Sequence, residues 1–180
     1  MGSWGASTAD ESKPKYLTDA EKRDCYATNE GWTVPAGGNG RAGADREVLV
    51  AISGLSGATK LVEASVSSSR LVSTTLGAAA GGDFSAEIVW NERVTVTGTP
   101  QVTVTNTPGT DVVLDYASGT GTNRLTFTAT VAGGATAEND VLTLGANSVS
   151  LNGGAINDTG SGNAAVRTHG AGTGSVTVGA

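Results

Sequence analysis

FSAEIVWNERVTVTGTPQVTV, Phe84 to Val104, is the stretch that decides the fold. Phe84, Ala86, Ile88 and Trp90 alternate with Ser85, Glu87 and Val89, the period of a strand with one buried face. Val94 and Val96, then Val102 and Val104, alternate with threonine on either side of Gly98-Thr99-Pro100. That arrangement predicts two antiparallel strands joined by a tight turn.

Outward from this pair the same rhythm continues. Val112 to Tyr116, Leu125 to Thr130, Val141 to Leu144 and Val149 to Leu151 read as further strands, with Ser175 to Val178 as a closing one. Glu47 to Ile52 is an apolar run without clean alternation. Thr107-Pro108-Gly109, Ser118-Gly119-Thr120-Gly121, Gly133-Gly134 and Asn152-Gly153-Gly154 punctuate the chain at the spacing of turns in an all-β domain. The expectation is an all-β protein, an Ig-like antiparallel β-sandwich of about seven strands. Its expected core is Val62, Phe84, Ile88, Trp90, Val94, Val102, Leu114, Tyr116, Leu125, Phe127, Val131, Leu142, Leu144 and Leu151.

Composition narrows the function. The chain has 180 residues, 27 of them glycine, with 4% aromatic and 16% charged residues. One histidine (His169) and one cysteine (Cys25) leave no Cys/His zinc cluster and no intrachain disulfide to expect. A net charge of −6 argues against a nucleic-acid or anionic-lipid partner, either of which asks for clustered Lys and Arg. The opening residues lack the basic and apolar regions of a secretory signal, and no apolar run is long enough to span a bilayer. The single thiol suits assembly in a reducing cytoplasm. These features point to a structural or binding protein rather than an enzyme.

Charge is unevenly spread: residues 1–47 hold 6 basic and 8 acidic side chains, half of the chain's total. Pro35 to Ala44, PAGGNGRAGA, reads as a flexible linker, so the expected division is an arm over 1–47 and a sandwich over 48–180. Thr18 and Glu21 have the spacing of a capping box and predict a helix from Asp19 to about Asn29, ended by Gly31. Lys13-Pro14-Lys15 favours an extended path, and 47 extended residues could reach about 150 Å at roughly 3.3 Å each. Trp4, Tyr16, Leu17, Tyr26 and Trp32 are the expected partner contacts, since buried aromatic anchors dominate binding energy. Folding back over one end of the sandwich is the other use for such residues.

Two resemblances sharpen this reading. Trp90 to Val104, Asp115 to Val131 (DYASGTGTNRLTFTATV) and Ser148 to Ala165 (SVSLNGGAINDTGSGNAA) resemble three successive motifs of the bacterial Ig-like repeats of large surface proteins. Together they span about 60–165. Trp90 stands where that family has Phe, and Ala129 where it has an aromatic, departures that bear on packing more than on topology. The resemblance implies the sandwich, and spacer or adhesive roles, without fixing a function. Trp4 to Lys22 (WGASTADESKPKYLTDAEK) with Tyr26 to Trp32 (YATNEGW) is similar to the N-terminus of virion structural proteins of tailed phages of marine cyanobacteria. That likeness implies a particle component on the capsid exterior, assembled in the host cytoplasm, with the major capsid protein and neighbouring copies of the chain as partners. A capsid decoration (cement) protein is the leading expectation. A tail or neck component, or a host-surface adhesin or carbohydrate-binding module, is the alternative.

Candidate chemistry is thin. Asp111, Asp115, Glu138, Asp140 and Asp158 fall near expected loops, but only Glu138-Asn139-Asp140 has the local density calcium asks for, and Asx side chains in turns usually bond their own backbone. His169 has no accompanying nucleophile motif and reads as a surface residue. Gly37-Gly38-Asn39-Gly40 lacks the Lys-Ser/Thr ending of a phosphate loop. Glu87 and Glu92 could be paired as the carboxylates of a glycosidase, yet Glu87 on a strand face and Glu92 in the following turn read better as solvated. No catalytic, metal or cofactor residue is expected.

Overall fold

A computed structural model describes residues 13–35, 46–57 and 59–180. They form one helix, α1 (Asp19–Asp24), and twelve strands. The first three strands are β1 (Tyr26–Thr28), β2 (Gly31–Pro35) and β3 (Arg46–Ala51). Next come β4 (Val66–Leu71), β5 (Gly82–Thr97), β6 (Gln101–Thr107), β7 (Val112–Ser118) and β8 (Thr122–Val131). The series ends with β9 (Val141–Thr143), β10 (Val149–Ser150), β11 (Ala155–Asp158) and β12 (Ser175–Thr177). Among the described residues no helix is long and apolar enough to cross a membrane.

The alternation that opens the sequence becomes β5. Its first half pairs antiparallel with β8 on one side, Phe84 opposite Ala129 and Ile88 opposite Leu125, and with β4 on the other. β8 continues to β7, β7 to β6, β6 to β9 and β9 to β12. Parallel bridges Arg70–Thr173 and Gly77–Gly179 bring the segment after β4 back to the tail, closing the sandwich around one core. Phe84, Ile88, Trp90, Val94, Val102, Leu114, Leu125, Phe127, Leu142 and Leu144 are at most 1% exposed there. Trp90 is the largest of them, and its indole N–H, which burial would otherwise leave unsatisfied, donates to the Val166 carbonyl at 3.1 Å.

Of the expected core, Tyr116 and Leu151 pack against it half-buried, and Val131 is buried. Val62 is a correction: at 43% exposure it lies outside the core, in a segment with no strand partner of its own. β4 was not anticipated, because Ser67, Ser68, Ser69 and Arg70 carry no apolar signal.

The N-terminal part differs most from expectation. The capping box is present: the Thr18 side chain accepts from the Glu21 N–H, while the Glu21 carboxylate takes the Thr18 hydroxyl at 2.7 Å and its N–H at 2.8 Å, which together hold the Glu21 carboxyl below its ordinary range. The helix stops at Asp24, however, not near Asn29. Cys25 is already extended, and Tyr26 and Ala27 pair with Thr33 and Trp32 of β2. Tertiary pairing overrides a helix of marginal length. Gly31, expected to end the helix, instead starts β2 with φ +134°, where a Cβ would overlap the Val50 carbonyl oxygen.

β2 pairs antiparallel with β3, Pro35 opposite Arg46, so residues 36–45 connect two paired strands; the linker expected there otherwise lies outside the described residues. The division expected at 47/48 runs through β3, and Glu47 to Ile52 belongs to this meander rather than to the sandwich. β1 reaches the sandwich by a parallel pairing with β5, Ala27 opposite Glu92. Leu17, Cys25, Ala27, Trp32, Val34, Ile52 and Leu55 form a second small core beneath the meander. The segment expected to be an arm thus obtains a core of its own by folding β3 and the 52–55 turn onto it.

Candidate functional site

The five expected partner contacts separate. Trp4 lies outside the described residues. Tyr16 is 71% exposed. Leu17 and Trp32 are enclosed in the second core, and Tyr26 is buried with its hydroxyl taking a hydrogen bond from Arg93 Nη2 at 3.0 Å. The Arg93 guanidinium also lies 5.2 Å from the Tyr26 ring centre, and the Lys13 ammonium 5.6 Å from that of Trp32. Lys13 donates onward to the Lys22 carbonyl at 3.0 Å, and its burial lowers its pKa. As folded, Leu17, Tyr26 and Trp32 hold the meander together and do not face outward. Tyr16 alone of the four described ones does.

The loop carboxylates are also scattered. Asp111 Oδ1 accepts from the Asn106 N–H at 3.0 Å, and Asp115 Oδ1 from Gln101 Nε2 at 2.9 Å. Asp140 Oδ2 takes Asn106 Nδ2 at 2.9 Å and the Ala137 N–H at 3.0 Å. Asp115 thus lies within β7 and bonds its cross-strand neighbour on β6, while Asp111 and Asp140 tie their loops to the end of β6 through Asn106. Among the described residues no group of three or more His, Cys, Asp or Glu side chains is placed to hold a metal ion.

His169, read as a surface residue, is half-buried and ties three segments together. Its Nε2 receives the Ser148 N–H at 3.1 Å, which assigns the ring proton to Nδ1, beside the Gly170 carbonyl at 2.6 Å. Ser69 of β4 approaches the same ring nitrogen at 3.3 Å.

Neither Glu87 nor Glu92 is solvated, which corrects the reading of both. Glu87 is 6% exposed and bridges Arg70 Nε at 3.0 Å and Arg124 Nη1 at 3.1 Å, one arginine from each strand flanking β5. Arg124 also pairs with Asp24 at the end of α1, tying the helix to β8. Glu92 is not in a turn. β5 runs on to Thr97 across a register shift in its pairing between Val89 and Val94, and its period of two, which buries Phe84, Ala86, Ile88, Trp90 and Val94, also turns Glu92 inward to complete burial.

Glu92 is the chemical centre of the molecule's most unusual site. Asp158 at the end of β11 is 1% exposed, and Ser56 beside it is 9% exposed. Asp158 Oδ1 is saturated by the N–H groups of Gly160 at 2.6 Å and Ser161 at 3.3 Å. Written as carboxylates, Asp158 Oδ2 and both oxygens of Glu92 are buried without a donor. Burial pushes the Glu92 carboxyl up to about 7; the Ser56 hydroxyl works against that and the neighbouring Asp158 adds to it. Above the group a cleft of about 350 Å³ opens between meander and sandwich, lined by Thr28, Glu30, Arg46, Ser56, Arg93 and Thr159 among others. The sequence did contain a signal: Asn91-Glu92-Arg93 puts three polar residues in a row inside a strand, where period two would place one of them inward.

No protein-family model, curated protein or solved structure matches this chain.

Proposed function

We propose that this chain is a virion structural protein, a capsid decoration protein that binds the major capsid protein through its N-terminal region and displays the Ig-like sandwich on the particle exterior. The likeness of Trp4 to Trp32 to virion proteins of cyanobacterial tailed phages, followed directly by an Ig-like sandwich, carries the reading. The site chemistry is in keeping with it: the candidate acids Glu87, Asp111 and Asp140, and His169, are spent on bonds that hold strands and loops in place. An acidic, threonine-rich exterior suits a displayed protein and gives no purchase to nucleic acid.

With Leu17, Tyr26 and Trp32 enclosed, contact with the shell falls to residues 1–16, including Trp4 and the exposed Tyr16. The meander then serves as a foot joining that contact to the sandwich. One observation favours the alternative, a tail or neck component or a host-surface adhesin. Tyr26 and Trp32 of the N-terminal part are already packed in the free chain, so a partner has less left to order.

Hydrogen–deuterium exchange of the protein alone, and after mixing with capsids that lack it, separates the two. The decoration reading expects residues 1–16 to become protected on the shell. Absence of binding to shells, or protection confined to the sandwich loops, rejects it for the tail or adhesin reading.

A further inference from the structure

We propose that the Glu92 carboxyl is protonated in the closed protein and donates to Asp158, and that this hydrogen bond latches the N-terminal meander to the sandwich, so that the seam loosens as pH rises. The inference rests on the seam's geometry and is independent of the particle to which the protein belongs.

The register pairs that join β1 to β5 reduce to one, Ala27 opposite Glu92. Asp158 comes from β11, whose pairing with Val94 fixes it next to the same stretch of β5. Ser56 closes the third side; its N–H donates to the Thr28 carbonyl at 3.2 Å, so the chain that carries the Ser56 hydroxyl is itself bonded to the meander. Three segments thus meet on two carboxyl groups.

Donors and acceptors do not balance unless a proton is added. Three oxygens on two interacting carboxyl groups are buried without a partner, and the Ser56 hydroxyl is the donor beside them. Two ionised carboxylates in contact with one another and both out of water repel. A proton on Glu92 removes one charge and supplies an O–H that donates to Asp158 Oδ2, the oxygen that the Gly160 and Ser161 N–H groups leave free. The cations around the site are engaged elsewhere. Arg46 on β3 pairs with Glu30 of the β1–β2 turn at 2.8 Å, and Arg93 on β5 is bonded to Tyr26 of β1. Neither is free to neutralise the pair. When hydroxide or water removes the proton, the second negative charge is relieved by letting solvent into the cleft, which separates β1 and the Ser56 turn from β5.

The direction follows from linkage. The closed seam binds a proton that an opened, hydrated Glu92 would lose near its ordinary pKa of 4.5, so closure is favoured at low pH and weakens as pH rises through about 7. Between pH 6 and 8 the closed-to-open ratio should fall about tenfold for a single carboxyl shifted this far.

The test is hydrogen exchange of the full chain between pH 5.5 and 8.5, read as protection factors so that the intrinsic pH dependence cancels. Protection of residues 26–34 should fall about tenfold from pH 6 to 8 relative to β8. Glu92→Gln keeps a donor and removes the titration, so that pH dependence should vanish; Asp158→Asn removes the like charge and should shrink it, because burial alone still raises the Glu92 carboxyl. Seam protection that does not change with pH in the wild type, or that changes equally in Glu92→Gln, overturns the proposal. Restoration of seam protection at pH 8 by millimolar calcium or magnesium overturns it too, since the pair would then be a cation site.

Discussion

Replacing Leu55 by alanine probes whether the N-terminal meander is a separable unit. Leu55 is fully buried among Leu17, Cys25, Trp32 and Ile52, and its deletion removes three buried carbons. At about 0.8 kcal/mol per methylene the transfer part is roughly 2.4 kcal/mol. A cavity part adds to that, but the cluster is small and bordered by half-buried Leu49, Val50 and Leu61, which can move inward. The expected cost is about 2–3 kcal/mol, the lower part of the range for such truncations. The meander meets β5 through one register pair and a few polar ties, whereas β5 and β8 share nine, so the meander should open without the sandwich. Residue-resolved hydrogen exchange by NMR reads this directly. Protection of the β2 amides should drop about 30- to 150-fold in Leu55→Ala, the equivalent of that cost, while the amides of Leu125 and Phe127 keep theirs. Equal losses in both places would mean one cooperative unit; unchanged β2 protection would mean the second core contributes nothing.

Two further outcomes follow from buried groups. Glu87→Gln should cost about 1–2 kcal/mol in urea denaturation, discounted from the buried-pair value because Arg70 and Arg124 are each more than a third exposed. A double-mutant cycle with Arg70→Met should return a coupling of roughly 1 kcal/mol, and a coupling near zero would show the bridge to be idle. Cys25 is fully buried, and burial pushes its thiol up to about 11, so a disulfide reagent at pH 8 should label the native protein at least about 100-fold more slowly than the urea-unfolded chain. Immediate labelling would place the thiol at the surface.

What the sequence disclosed and what it hid divide along physical lines. Phe84 to Trp90 announced β5 because one face is apolar and the other is not, and Thr18-x-x-Glu21 announced the helix start because its bonds are local. β4 was silent: its serines pair by backbone with β5, a bond that any side chain permits. β1 and β2 were misread since Tyr26 and Trp32, large aromatics in a charged segment, fit an exposed anchor as well as a small core, and only the distant β3 decides between them. Glu92 was placed in a turn because a carboxylate at an inward position interrupts the apolar alternation that both halves of this 16-residue strand otherwise keep. The seam site could not be assembled in advance, since Ser56, Glu92 and Asp158 are brought together by pairings far apart in the chain.

The closure of the sandwich by its tail has a mechanical consequence. The end of β4 with the segment after it and the segment around β12 run parallel, bridged at Arg70–Thr173 and Gly77–Gly179. Tension applied between the foot and the C-terminal end pulls these two neighbours in opposite directions along their length. Their hydrogen bonds, including Leu71 N–H to Thr173 carbonyl at 3.0 Å and Gly179 N–H to Leu76 carbonyl at 2.9 Å, are then loaded in shear and must fail together rather than one by one. The meander has no such clamp. Under load it should peel from β5 first, acting as a short extensible tether while the sandwich keeps its shape.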